Sequence, residues 1–216
     1  MTRAVIFDFN GTISDDEPVL DRLFCALASD LGVPMTSDDY YRDLAGLSDV
    51  EIVRRIVERS GQSADLEALL REKIARYKQI VVEEPTIGDD AAAFVRTVAD
   101  RVPVAIASGA VREEVEHVLR LAGLLDRFAA IVTVDDVTHG KPDPEGYLLA
   151  LERLGGDVAA DEVLVFEDAD AGVQAAKAAG MRCAVLRSPA YTGTSVAADV
   201  VLGRLEPTEV DTLLRG

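Results

Sequence analysis

Six short runs of β-branched and apolar residues punctuate this chain, each closed by small or polar residues. That rhythm limits the folds open to it more than any other feature. The runs are AVIFDF, VPVAIASG, AAIVTVDD, EVLVFED, RCAVLR and DVVLG. Between most of them lie helical patterns such as REEVEHVLRLAGLL, PEGYLLALERLGG and AGVQAAKAAGM. Strands alternating with helices of that length imply βαβ units. The runs are continuously apolar, as strands buried on both faces of a parallel sheet require. The expected fold class is therefore α/β, with a Rossmann-like parallel-sheet core.

One stretch breaks the rhythm. From about Asp15 to Pro85 only helical periodicity is seen, in PVLDRLFCALASDLG, DVEIVRRIVERSG and DLEALLREKIARYKQIVVEE. This block is expected to be an inserted all-helical cap domain over 15–85, with the catalytic core formed by 1–14 and 86–216. Ser14 followed by Glu17, with Pro18 next, has the spacing of a capping box at its entry, and EEPTIGDD is the turn at its exit.

The chain has 216 residues, enough for one substantial core plus an insert. Its net charge of −17 repels phosphate backbones and anionic membranes. Nucleic acid and membrane partners are thus not expected, and an anionic small substrate needs local cations or a metal. No apolar run reaches the roughly 20 residues that span a bilayer, and the N-terminal run is too short for a secretory signal. Cys25 and Cys183 share no metal spacing and read as small apolar residues in a reducing compartment. The expectation is a cytoplasmic protein, a monomer or a weak dimer.

Ligands of open parallel sheets bind beyond the carboxyl ends of the strands. The polar residues there are Asp8 and Asn10 after the first run, Ser108 after the second, and Glu167 and Asp168 after the fourth. Lys141 lies in HGKPDPEGY after the third, with Asp143 and Pro144 read as the cap and first residue of the next helix. Singly, each has a plain structural role: a turn, a helix cap, an acidic helix entrance, a solvated lysine. Together, clustered carboxylates and a cation make a sensible magnesium site, with oxygen ligands and a phosphate to complete the shell.

The four pieces FDFNGTI, VAIASGA, GKPDPE and VFEDADAG resemble, in order, the motifs of the haloacid dehalogenase superfamily. The subgroup most similar contains β-phosphoglucomutase and small sugar- and polyol-phosphate phosphatases. The resemblance implies a phosphatase acting on a small phosphorylated metabolite. It makes Asp8 a nucleophile that carries an aspartyl phosphate, and it makes Ser108 and Lys141 phosphoryl-binding groups, with Gly109 beside them. It implies Mg2+ held by Asp8, the backbone carbonyl of Asn10, and Asp168, with Glu167 acting through water. Thr12 would orient the loop around Asp8, and Asp170 would be a helix cap rather than a ligand. In the helical block, LAGLSDVEIV resembles the family's substrate-facing loop, which makes Gly46 and Ser48 candidate substrate contacts. KIARY repeats its Lys-x-x-x-Tyr spacing, so Lys73 is either a grip on a distal substrate group or a solvent-facing helix lysine.

Position 10 departs from the pattern, because the family's phosphatases usually carry a second Asp there as acid and base. Asn10 can hydrogen-bond a leaving oxygen but has no proton to give it. The departure leaves open a natural enzyme for undemanding leaving groups, an engineered or naturally impaired phosphate-binding protein, a phosphomutase, a phosphonate hydrolase or a haloacid dehalogenase.

Overall fold

The computed structural model describes residues 1–188, 193 and 198–216. All six apolar runs form strands: β1 (Ala4–Phe7), β2 (Val104–Ala107), β3 (Ala130–Val132), β4 (Val163–Glu167), β5 (Arg182–Leu186) and β6 (Val200–Leu202). They build one parallel sheet in the order β3-β2-β1-β4-β5-β6. The chain runs outward from β1 through β2 and β3, then crosses back to lay β4 on the other side of β1. The crevice of such a sheet opens at that reversal, at the carboxyl ends of β1 and β4.

Alternation along each strand assigns the two faces. Ile6, Ala105, Val165 and Cys183 pack against α7 (Glu145–Leu154) and α8 (Asp170–Ala178). Val5, Phe7, Ile106 and Phe166 join Phe94 of α5 (Asp89–Ala99), Val115 of α6 (Arg112–Leu121) and Leu213 of α9 (Val210–Arg215). Phe7 stacks on Phe166 at 5.1 Å, and Phe94 meets Phe166 edge-on at 5.2 Å. Truncating Phe166 to Ala at the centre of this cluster should cost about 3–5 kcal/mol.

Four helices fill the stretch between β1 and α5: α1 (Glu17–Asp30), α2 (Ser37–Asp43), α3 (Asp49–Ser60) and α4 (Leu66–Glu83). They pack mainly on one another, with Phe24 of α1 stacked on Tyr40 of α2, while α4 also lies on α6. Thr36, Ser48 and Asp65 cap α2, α3 and α4 through their side chains. The spacing of Ser14 and Glu17 misleads. Asp16 holds the cap position of α1 without capping it, and the Ser14 hydroxyl donates instead to Thr86 Oγ1 at 2.8 Å. Helix α7 likewise starts at Glu145, one residue later than expected, with Asp143 Oδ1 accepting the Glu145 N–H. Both cysteines are free: Cys183 is buried, and Cys25 is half-buried against the core. Among the described residues, no helix is long and apolar enough to cross a membrane.

Candidate active site

The strand ends converge as their order dictates. Asp8 follows β1 directly, Ser108 follows β2, Glu167 ends β4, and Asp168 comes next. One oxygen from each of Asp8, Glu167 and Asp168 lies within 4.8 Å of the other two. Lys141 reaches in from the loop before α7, its Nζ 2.5 Å from both Asp8 Oδ1 and Glu167 Oε1. That loop is fastened to α7 by Glu145, whose carboxylate accepts the N–H groups of Thr138 and His139 at 2.9 and 2.8 Å. Glu167 is held on both oxygens. Oε1 accepts from Tyr147 and Lys141, and Oε2 accepts the N–H groups of Asp168 and Ala169.

Two glycines make this closeness possible. A Cβ on Gly172 would lie 1.8 Å from the Glu167 carboxyl carbon. Gly11 has φ +73°, and a Cβ there would come within 2.3 Å of Asp168 Oδ2. Any side chain at either position would drive a carboxylate out of the cluster.

Three buried carboxylates face one ammonium. Burial raises the Asp8 carboxyl to about 7, against the pull of Lys141. Burial, then the charges of Glu167 and Asp8, push Asp168 well above the carboxylate range. Burial opposes the Lys141 charge, but Asp8 and Glu167 outweigh it and its pKa is raised. Among the described residues, none donates a hydrogen bond to the Asp168 carboxylate. An excess of anionic oxygen donors with an idle carboxylate is the donor set a hard divalent cation takes, so the residues present fit Mg2+.

A cavity of about 520 Å³ opens from this cluster toward the helical block. Asp8, Asn10, Ser108, Gly109, Lys141, Glu167 and Asp168 line it, and so do Gly46 and Ser48. The Ser48 hydroxyl is occupied, accepting the Glu51 N–H as the cap of α3. Thr12 is buried, but its hydroxyl has no partner among the described residues, so no side-chain bond of Thr12 orients the loop. The loop is held by backbone bonds instead, including Gly11 N–H to Ser14 O at 2.8 Å and Ile13 N–H to Phe9 O at 3.0 Å. Asp170 is the first residue of α8 rather than its cap, a position that Ala169 holds, and its Oδ1 accepts the Gly193 N–H, outside the carboxylate cluster.

Lys73 needs correction on both of its expected roles. It is fully buried and does not line the cavity. Its Nζ lies 3.0 Å from Asp49 Oδ2 and 2.5 Å from Glu114 Oε2, over the rings of Tyr77 and Phe24. Helical spacing cannot reveal this, because Glu114 comes from α6, beyond α5 and β2 in the chain. Sequence reasoning also missed Glu17, Tyr40, Asp49 and Arg54, which line the cavity from α1, α2 and α3. It missed Asp16 too, whose acidic DDE context reads as an ordinary helix entrance. A carboxylate six residues beyond Asn10 in the same tight loop was the available signal.

The haloacid dehalogenase-like hydrolase family matches residues 2–180 of the chain. A phosphorylated carbohydrates phosphatase from Thermotoga maritima is 35% identical over 182 residues, which cover 82% of each chain. A validoxylamine A 7'-phosphate phosphatase from Streptomyces hygroscopicus subsp. limoneus is 32% identical over 213 residues, covering 97% of this chain and 96% of that one. A crystal structure of CbbY from Rhodobacter sphaeroides, an Asp-to-Asn mutant in complex with xylulose-1,5-bisphosphate, superposes with a TM-score of 0.82. The identity there is 27%, and 95% of each chain is covered.

Proposed function

The chain belongs to the haloacid dehalogenase-like hydrolases, as an enzyme of the phosphatase kind, and from that premise we propose that it is a magnesium-dependent phosphatase of sugar or polyol monophosphates. The observation that carries this reading is the convergence of Asp8, Lys141, Glu167 and Asp168 at the sheet's point of reversal. In it, an Asp8 carboxylate oxygen attacks phosphorus, and the bond to the leaving oxygen breaks. Water then attacks the same phosphorus, the bond to Asp8 breaks, and inorganic phosphate leaves. Splitting one displacement into two lowers each barrier. Lys141 and Ser108 hold the transferring oxygens. Mg2+ would be held by Asp8, Asp168 and the Asn10 carbonyl, and would neutralise charge on the phosphoryl group.

Asn10 supplies no proton, so leaving groups that depart as stable anions suit the site best, and alkyl esters go slowly. The helical segment 15–85 acts as the cap over the substrate. Its contribution to the cavity is acidic, with Glu17, Asp49 and Glu51, while Arg54 is ion-paired to Glu51. Lys73 is sealed behind Asp49. A second phosphate on the substrate finds little counter-charge there, which favours monophosphates with a neutral or amino-bearing hydroxylated body. The Thermotoga and Streptomyces relatives are named for phosphorylated carbohydrates and for validoxylamine A 7'-phosphate.

The test is phosphate release from a panel of aryl, sugar and polyol monophosphates and a sugar bisphosphate, with Mg2+ and with chelator. Release that needs Mg2+, fastest on aryl esters and slower on bisphosphate than on the matching monophosphate, is expected. Full activity in chelator, or halide release from a haloacid, would overturn the reading.

A further inference from the structure

Asn10 does not stand alone. Its Nδ2 donates to Asp16 Oδ2 at 2.8 Å, while its Oδ1 faces the Ser108 hydroxyl at 3.4 Å. The amide is therefore oriented, with nitrogen toward Asp16 and oxygen toward the phosphoryl end of the cavity. Asp16 is fully buried and occupies the cap position of α1, where an aspartate ordinarily accepts a helix N–H. It forgoes that bond. Its Oδ2 accepts instead from Asn10 and from the Tyr77 hydroxyl, and its Oδ1 has no partner among the described residues.

A carboxylate only accepts hydrogen bonds, whereas an amide nitrogen only donates them. An ionised aspartate at position 10 would thus turn an acceptor toward the buried acceptor of Asp16 across the same gap. The second carboxylate would lose the partner that Asp16 now has, beside an oxygen that is already idle.

We propose that Asn10 and Asp16 are a matched donor–acceptor pair, in which Asp16 is a positioning residue that turns the Asn10 carbonyl toward Ser108 and the substrate. Position 10 then accepts an acid only when position 16 changes with it. The pair explains why an asparagine belongs at this place in this chain, without an engineered change or a decayed site. It also revises the simplest expectation for Asn10→Asp, which is a gain in turnover from that change alone. The proposal rests on the phosphatase reading for its activity readout and on hydrogen-bond geometry for its stability readout.

The experiment is a double-mutant cycle on the full chain: parent, Asn10→Asp, Asp16→Asn, and the exchanged pair Asn10→Asp/Asp16→Asn. Melting temperature and turnover of an aryl and an alkyl phosphate are read for all four. Asn10→Asp alone is expected to lower the melting temperature and to leave alkyl turnover at or below the parent's. Asp16→Asn alone should leave the alkyl-to-aryl ratio at the parent value. The exchanged pair should recover the melting temperature lost in Asn10→Asp. It should also raise alkyl turnover by roughly 10²-fold, the lower range for a positioned general acid, while aryl turnover changes little. Additive melting temperatures, or equal alkyl turnover in Asn10→Asp and in the exchanged pair, would overturn the proposal. Coupled melting temperatures with a flat alkyl-to-aryl ratio would overturn the positioning role, leaving a purely structural pair. If no protein of the four releases phosphate from any ester, the phosphatase reading fails, and the pairing is still decided by the melting temperatures.

Discussion

Two lysines in this molecule are each bracketed by two carboxylates, and only one of the two opens onto a cavity. Lys141 lies between Asp8 and Glu167, and Lys73 lies between Asp49 and Glu114. Both sit over an aromatic ring, Tyr147 for one and Tyr77 for the other. The difference is in what surrounds them. The side chain of Lys141 is 19% exposed, at the mouth of a cavity, with a further carboxylate, Asp168, crowded against the group. The side chain of Lys73 is 0% exposed and joins α3 and α4 to α6. An open cluster with surplus charge has room for a cation and a ligand. A sealed one that no ligand reaches can only hold elements together. Residue type and pairing do not distinguish a site from a staple, and access and charge balance do.

Deleting one member of each group separates the two clusters most sharply. Asp8→Ala should abolish phosphate release from every ester, while the melting temperature holds or rises, since it removes one of three crowded carboxylates. Turnover surviving in Asp8→Ala would deny the open cluster its chemistry. Lys73→Met should do the reverse. Leaving Asp49 and Glu114 buried without their cation should cost about 3–5 kcal/mol of stability, read by chemical denaturation. Turnover per folded molecule should stay within a few-fold of the parent. Adding Glu114→Gln to that variant should recover part of the loss, because burial already pushes the Glu114 carboxyl up to about 8. A Lys73→Met protein of unchanged stability and poor turnover would return Lys73 to the substrate.

A smaller effect lies on the wall between the two clusters. Burial, then the neighbouring Asp16 charge, lifts the Glu17 carboxyl from 4.5 to about 7. Across that window the folded protein holds a proton that the unfolded chain releases, so this group makes stability fall as pH rises from about 4.5 toward 7. Glu17→Gln should flatten that slope in melting temperature against pH. In the folded protein that charge develops in the cavity only as pH rises through about 7. Discrimination against a bisphosphate should therefore grow as pH rises through about 7, and Glu17→Gln should relax it by a few-fold.

The open cluster was legible in the sequence because its geometry follows from strand order. Continuous apolar runs place Asp8, Ser108, Glu167 and Asp168 at one edge of a parallel sheet whatever the details of packing. The block from Glu17 to Glu83 was legible as helices but not as a surface. Lys73 has the spacing of a substrate contact, and its fate is decided by Glu114, forty-one residues away on another layer. Asp16 was illegible for a related reason. Acids at a helix entrance are so often caps that a carboxylate turned backward onto Asn10 leaves no mark in local spacing.

The claim on which the rest depends is that Asp8 carries the phosphoryl group. Asn10 offers no base to activate the water of the second step, so the phosphorylated enzyme should build up during turnover of an aryl phosphate in Mg2+. The direct measurement is acid quenching in the steady state followed by mass mapping of the peptides. A phosphoryl group on the peptide that contains Asp8, absent in Asp8→Ala and absent when Mg2+ is chelated, is the expected result. Sustained phosphate release with no phosphorylated peptide in the parent, or with the phosphoryl group on another residue, would contradict it.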